Sequence, residues 1–280
     1  MMEIWYGLAG RLLPFSWAER EFMLNALLAV LLVTPLFGML GTMVVNNRMA
    51  FFSDTIGHSA LTGIAIGVIM GLYRPLWSMV IFAVLMAVAV SIVKEYTTTS
   101  TDTVIGVFSA TAVALGIVIL SRGGGFNKYS VYLIGNLLSI SPGELGLIIL
   151  VFIIFIGFWV AFFNPLMFVS IHPSLARSRG INVRLVEMLF AVMLAVIVTI
   201  SIQWVGIMII NSLLVLPAAA ARNLSGNMRQ YHFFSVAIAV ASGIIGLILS
   251  YYWDTASGAT IVLVTACCYL ASILKKHVYG

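Results

Sequence analysis

The sequence predicts an all-α, polytopic membrane protein, and three observations carry that expectation. Apolar residues make up 62% of the 280 residues and charged residues 8%, with a mean hydropathy of +1.14. A soluble domain is about 45–50% apolar and about 25% charged. So few charged groups cannot cover a water-facing surface, so the solvent of this chain is mostly lipid. The apolar residues gather in runs of about 20, the length at which a helix crosses a hydrocarbon core. Those runs are continuous and do not alternate, which excludes a transmembrane barrel.

In chain order, residues 1–21 (MMEIWYGLAGRLLPFSWAERE) lack the basic start and unbroken apolar core of a signal peptide. Their aromatic and mixed-charge character predicts a segment lying at the membrane interface. Residues 22–274 read as a single transmembrane domain of nine spans: 22–45, 55–72, 75–93, 103–121, 143–163, 184–203, 205–224, 232–253 and 257–274. Merging or losing one gives eight. The stretch YSVYLIGNLLSI at 130–141 is too short to cross and predicts a re-entrant or interfacial helix.

Basic residues set the orientation. With the 164–184 loop inside, strict alternation places nine of the 14 basic residues inside: Arg48, Lys94, Arg177, Arg179, Arg184, Arg222, Arg229, Lys275 and Lys276. Arg11, Arg20, Arg74, Arg122 and Lys128 fall outside, so the N-terminus is outside and the C-terminus inside. Trp77, Trp204 and Trp253 stand near segment ends, as interfacial anchors do. The net charge of +5 is spread singly between apolar runs and carries no nucleic-acid signal. Cys267 and Cys268 are adjacent, a poor arrangement for bridging each other, and read as packing residues.

Chemistry is sparse inside the spans. Asp54 and His58 are four apart and share one helical face, with Cβ atoms about 5–6 Å apart. Ionisable groups in a span are costly and mark a pathway or a site. A carboxylate with an imidazole suits zinc and is tolerable for manganese or iron. The plainer alternative makes Asp54 a helix cap and His58 a satisfied core histidine. Ser59, Gly63, Gly67 and Gly71 form a stripe of small residues that lets a neighbouring helix approach. Asn211 reads as glue between helices, and Pro217 is expected to kink or interrupt its span. Asp102 and Glu187, near segment ends, fit plain interfacial solvation.

The loop NPLMFVSIHPSLARSRGINVRLVE is the longest one placed inside. Pro173 suits the first turn of a short helix and Gly180 its end. With Arg177 and Arg179 it has the form of a docking site for a cytoplasmic partner, against the plainer reading of an ordinary basic loop. His172 reads as a loop histidine. Gly123-Gly124-Gly125 lacks the lysine and Ser/Thr of a phosphate-binding loop, and the chain contains neither G-x-x-x-x-G-K-[ST] nor H-E-x-x-H. ATP hydrolysis and the standard helix-borne metalloprotease chemistry therefore have no signature here.

These residues converge on a known pattern. RMAFFSDTIGHSALTG, TDTVIGV, LIGNLL, QWVGIMIINSLLVLPAAAAR and WDTASGATIVL occur in that order along nearly the whole chain. Together they resemble the membrane permease subunit of bacterial ABC importers for zinc, manganese and iron. D-T-x-x-H-S and W-D-T-x-x-G look closest to the zinc-uptake branch. The resemblance implies a vitamin-B12-importer-like (type II) permease fold in the bacterial cytoplasmic membrane. It implies a homodimer, two cytoplasmic ABC ATPase subunits and an extracytoplasmic metal-binding protein. The divalent metal is cargo, with no permanently bound cofactor. The family's pathway aspartate and histidine match Asp54 and His58. Its coupling helix matches about 173–180, with Pro173, Ser174, Leu175, Ala176, Arg177 and Gly180 at the ATPase contact. Thr62 stands where the family often has a proline. His172 lies near the place where many manganese-type members carry an aspartate. A stand-alone secondary transporter and an intramembrane enzyme are the competing classes. The scarcity of ionisable residues counts against a proton relay, and no nucleophile–base pair can be assembled for an enzyme.

Overall fold

The computed structural model describes residues 5–7, 15, 17, 20–72, 75–122, 135 and 137–279. Most of residues 1–21, expected at the membrane interface, and half of the stretch 130–141 lie outside the described residues, as do Arg11, Arg74, Lys128 and Gly123-Gly124-Gly125. Among the described residues every regular element is helical. In order they are α1 (Glu21–Asn46), α2 (Ala50–Ile69), α3 (Leu76–Tyr96), α4 (Thr101–Arg122), α5 (Pro142–Ile171), α6 (Pro173–Ser178), α7 (Val183–Val205), α8 (Ile207–Leu224), α9 (Met228–Trp253) and α10 (Ser257–Tyr279). A 3-10 turn at Leu137–Ser139 precedes α5.

Each of the nine expected spans contains a helix. Seven are long and apolar enough to cross a membrane: α1, α3, α4, α5, α7, α9 and α10. The other two are α2, 20 residues carrying Asp54 and His58, and α8, 18 residues whose apolar part is Ile209–Leu224. Several boundaries differ from expectation, and two of them bear on the site and on the 164–184 loop. α2 begins at Ala50, five residues early, because Phe51 and Phe52 extend its apolar run. α5 does not stop at 163 but runs through Pro165 to Ile171, so the 164–184 loop is shorter than the sequence suggests. Pro217 likewise lies inside α8 without interrupting it; the break comes at Gly206.

Local chemistry fixes several helix starts. Ser141 and Glu144 form a capping box around Pro142: the Ser141 amide donates to Glu144 Oε2 at 2.9 Å and the Glu144 amide to Ser141 Oγ at 3.4 Å. Asn182 Oδ1 accepts from the Leu185 amide at 3.1 Å at the start of α7, and Asn227 Oδ1 from the Gln230 amide at 2.9 Å at the start of α9.

The chain divides into two compact units. One gathers 1–42, 135–156 and 212–280; the other gathers 43–134 and 157–211. In the first, Ser235 Oγ donates to the Gly38 carbonyl at 2.7 Å, tying α1 to α9, and Asn223 Nδ2 donates to Ser272 Oγ at 3.0 Å, tying α8 to α10. In the second, α2 is the most enclosed helix, held by α3, α4 and α7. A Cβ on Gly63 would lie 2.5 Å from Met79 Cα, so α3 rests directly on the α2 backbone there. Gly116 of α4 approaches the other side, where a Cβ would stand 3.0 Å from the Thr62 amide nitrogen, and the Thr62 hydroxyl donates to the Ala112 carbonyl. Outward faces are apolar: Ile81, Leu85, Val118, Ile153 and Val160 are exposed, as lipid contact requires. The small-residue stripe therefore packs α2, but its partner is α3, and only Gly63 and Gly67 make the approach. Gly71 lies past the end of α2 at φ 71, in open space.

Gly63→Val should destabilise the protein by about 1–3 kcal/mol, because the added methyls meet backbone rather than a movable side chain. Gly157→Ala, on the exposed face of α5 with nothing within 4 Å of the new Cβ, should be neutral or stabilising. Thermal unfolding in one detergent distinguishes the two.

Candidate functional site

The turn between α1 and α2 is short. Only 47–49 are non-helical, with Arg48 at φ 55, and the Met49 amide donates to the Val44 carbonyl at 2.9 Å. Met49 is the residue at the N-cap of α2 and contributes no side-chain cap. Asp54 therefore lies in the second turn of the helix, and the capping alternative does not hold.

Asp54 Oδ2 and His58 Nε2 are 3.4 Å apart, with the Asp54 side chain 39% and the His58 side chain 30% exposed. Around them Phe52, Ser53, Thr55, Ile56, Gly57, Ser59 and Ala60 are all buried. The pair thus stands on the open edge of an otherwise enclosed helix. That edge is closed one turn further on by Thr62, which is 1% exposed. The first turns of α2 are held from behind: the Ser53 hydroxyl is shared between the Ala50 carbonyl at 2.9 Å and Asn211 Oδ1. Asn211 thus serves as glue between helices. It sits just past Gly206, which at φ 89 lets α7 end and α8 begin. Ile207 packs on Gly57, its Cγ2 3.5 Å from where a Cβ would be.

An imidazole nitrogen and a carboxylate oxygen offer two ligands to a divalent ion. No cluster of three or more His, Cys, Asp or Glu occurs among the described residues. Asp54 and His58 by themselves thus make an incomplete coordination shell for zinc, which takes about four ligands.

The short helix expected in the 164–184 loop is α6. Pro173 occupies its first turn, and Gly180 follows its end at φ 76. The Gly180 amide donates to the Arg177 carbonyl and the Ile181 amide to the Ala176 carbonyl, both at 3.0 Å, so the glycine closes the helix by a left-handed turn. Ala176 is fully buried beneath it, while Pro173, Ser174, Leu175 and Arg177 face outward. The Arg179 guanidinium carbon lies 4.9 Å from the centre of the Phe168 ring on α5. His172 is exposed at the N-cap position of α6, as a loop histidine would be.

Two ion pairs escaped the sequence reading. Lys94 Nζ lies 3.2 Å from Glu187 Oε2, and Arg184 pairs with Glu95. They join the last turn of α3 to the first turns of α7, beside an open depression of about 730 Å³ that also reaches Pro173, Arg177 and Gly180. Glu187 is therefore no merely solvated end residue; Asp102 is exposed in the first turn of α4, as expected. The signal lay in Lys-Glu closing one apolar run and Arg-x-x-Glu opening another.

The sequence profile of the ABC 3 transport family matches residues 19–276. The chain belongs to the ABC 3 transport family. It is 31% identical over 259 residues to the high-affinity zinc uptake system membrane protein ZnuB of Haemophilus influenzae, covering 92% of this chain and 98% of that one. It is 30% identical over 258 residues to the manganese transport system membrane protein MntC of Halalkalibacterium halodurans, covering 91% and 86%. Among solved structures it is similar to PsaBC from Streptococcus pneumoniae in complex with Fab, with a TM-score of 0.79 at 25% identity over 97% of this chain and 95% of that one. With seven long apolar helices among its described residues, this ABC 3 family member is a multi-pass membrane protein.

At φ 76 a β-branched side chain strains Gly180 by about 1–2 kcal/mol. Gly180→Val should fray the end of α6 and raise trypsin cleavage at Arg177 and Arg179 several-fold in open vesicles, read by fragment mass; unchanged cleavage would show that α6 does not need the left-handed turn.

Proposed function

We propose that the chain is the permease subunit of an ABC importer for a divalent transition metal, with zinc as the first choice of cargo. The observation that carries this reading is the Asp54–His58 pair, about a third exposed on the edge of an enclosed helix that nothing in lipid would otherwise reward with two ionisable groups. The zinc-uptake name of the ZnuB relative supports zinc. The 30% identity to MntC keeps manganese, with iron, as the second reading.

In this reading residues 22–274 form one permease domain of nine spans, α1 to α5 and α7 to α10, in a type II importer arrangement like that of vitamin-B12 importers. The N-terminal segment lies at the membrane interface. Two copies assemble in the bacterial cytoplasmic membrane, each facing a cytoplasmic ATPase subunit through α6, and an extracytoplasmic binding protein delivers the ion. Pro173, Ser174, Leu175, Ala176, Arg177 and Gly180 make the ATPase contact. ATP hydrolysis belongs to the partner, and the chain holds no resident cofactor. Asp54 and His58 bind the ion in passage. The site has to be weak, because conduction requires that the ion leave again. A stand-alone secondary transporter would work without an ATPase, so copurification of an ATPase separates that class cheaply.

His58→Ala and Asp54→Ala should each reduce zinc uptake to background in proteoliposomes of the assembled complex, while the subunit still folds and still copurifies with its ATPase. Parental uptake in both variants would move the metal path elsewhere. Arg177→Glu should lower uptake while ATP hydrolysis continues, since it alters the docking surface and not the ion path; normal uptake would reduce α6 to a basic inside loop. ATP hydrolysis stimulated by zinc, manganese or iron, each added with the binding protein, reads the cargo directly.

A further inference from the structure

We infer that Lys94, Glu95, Arg184 and Glu187 form a charge clasp that positions α3 on α7 and carries movement of the α6 loop to the Asp54–His58 helix. The inference rests on the proposed function for what is carried, but its geometry stands independently.

The path is continuous. α6 ends at Ser178 and α7 begins at Val183, so only four residues separate them. Arg184 and Glu187 lie in the first two turns of α7 and meet Glu95 and Lys94 in the last turn of α3. The pairs are crossed: each helix gives one cation and one anion, so the four charges alternate and net to zero. α3 rests on the α2 backbone at Gly63 and Gly67, and α2 carries Asp54 and His58.

The clasp supplies what the rest of the α3–α7 contact lacks. The two helices otherwise bury mainly apolar side chains, among them Ala83, Ala87 and Val90 on α3 and Val183, Val186 and Phe190 on α7. Such surfaces pack without direction, and between membrane helices there is no hydrophobic drive to hold them in one register. Two charge pairs of opposite sense define a register, because a slide of one turn along either helix sets like charges against each other. The pairs are partly exposed, with the Lys94 and Glu187 side chains 33% and 38% exposed, so they are individually weak and able to open and close. That combination suits a contact that transmits a stroke and not one that locks the fold.

The test reverses charges singly and together in the complex with its ATPase. Lys94→Glu sets two carboxylates opposite each other, Glu187→Lys sets two ammonium groups opposite each other, and the double exchange restores an attractive pair in the opposite sense. Reversal removes one attraction and adds a repulsion of similar size, so each single variant should carry about fivefold to tenfold less zinc per ATP hydrolysed. The double exchange should return most of the loss. A second readout does not depend on cargo. Spin labels on Tyr96→Cys and Leu185→Cys, both exposed, in a Cys267→Ser/Cys268→Ser background report the α3–α7 distance. Its distribution should be narrow in the otherwise unaltered protein, broad in the single reversals and narrow again in the exchange. Single reversals that keep the zinc-to-ATP ratio and the narrow distribution overturn the clasp, and so does an exchange that restores neither. If the unaltered complex moves none of zinc, manganese and iron, the proposed function fails, and the clasp then stands or falls on the distance distributions alone.

Discussion

The contact of backbone on backbone around α2 is the constraint on which the rest of this structure depends. Gly63 and Gly67 admit α3 on one side, and Gly116 of α4 meets Thr62 on another. Without side chains between them, the helices come close enough for weak forces to add up, which is the main means of association where lipid is as apolar as the protein. The enclosure decides what is left open. Asp54 and His58 keep a third or so of their side-chain surface while their neighbours lose theirs. A bulkier residue at Gly63 would loosen the support of that helix before it touched either ionisable group.

The polar ties follow the same economy. Ser53 with Asn211, Thr62 with Ala112, and Ser235 with Gly38 each use a short side chain on one helix to reach another. Short polar side chains are suited to this role because they are satisfied within the protein and ask for no water. The longer charged side chains Lys94, Glu95, Arg184 and Glu187 sit within two turns of a helix end, where solvent can share the cost of the charge.

The architecture was legible in the sequence because lipid imposes a long, uninterrupted apolar run on every span, and that run survives whatever the tertiary packing does. The Asp54–His58 face was legible for the same reason, since four-residue spacing on a helix needs no knowledge of neighbours. What the sequence did not show depends on neighbours. The start of α2 at Ala50 decides that Asp54 is not a cap, and spacing alone left that alternative open. Pro217 looked like the point of interruption, yet Gly206, with φ 89, is where the chain breaks, because glycine reaches a conformation other residues resist. Glu187 looked like an ordinary end residue because its partner, Lys94, lies 93 positions away.

The length of α5 has a consequence of its own. Thirty residues make a rod of about 45 Å, against about 30 Å of hydrocarbon. The excess, about ten residues at 1.5 Å each, has to lie among the headgroups or be absorbed by tilt. A thicker or thinner bilayer changes how much of α5 is left over, or how far it tilts. The bilayer's thickness is thereby one of the lengths that sets where the segment after Ile171 stands relative to the lipid.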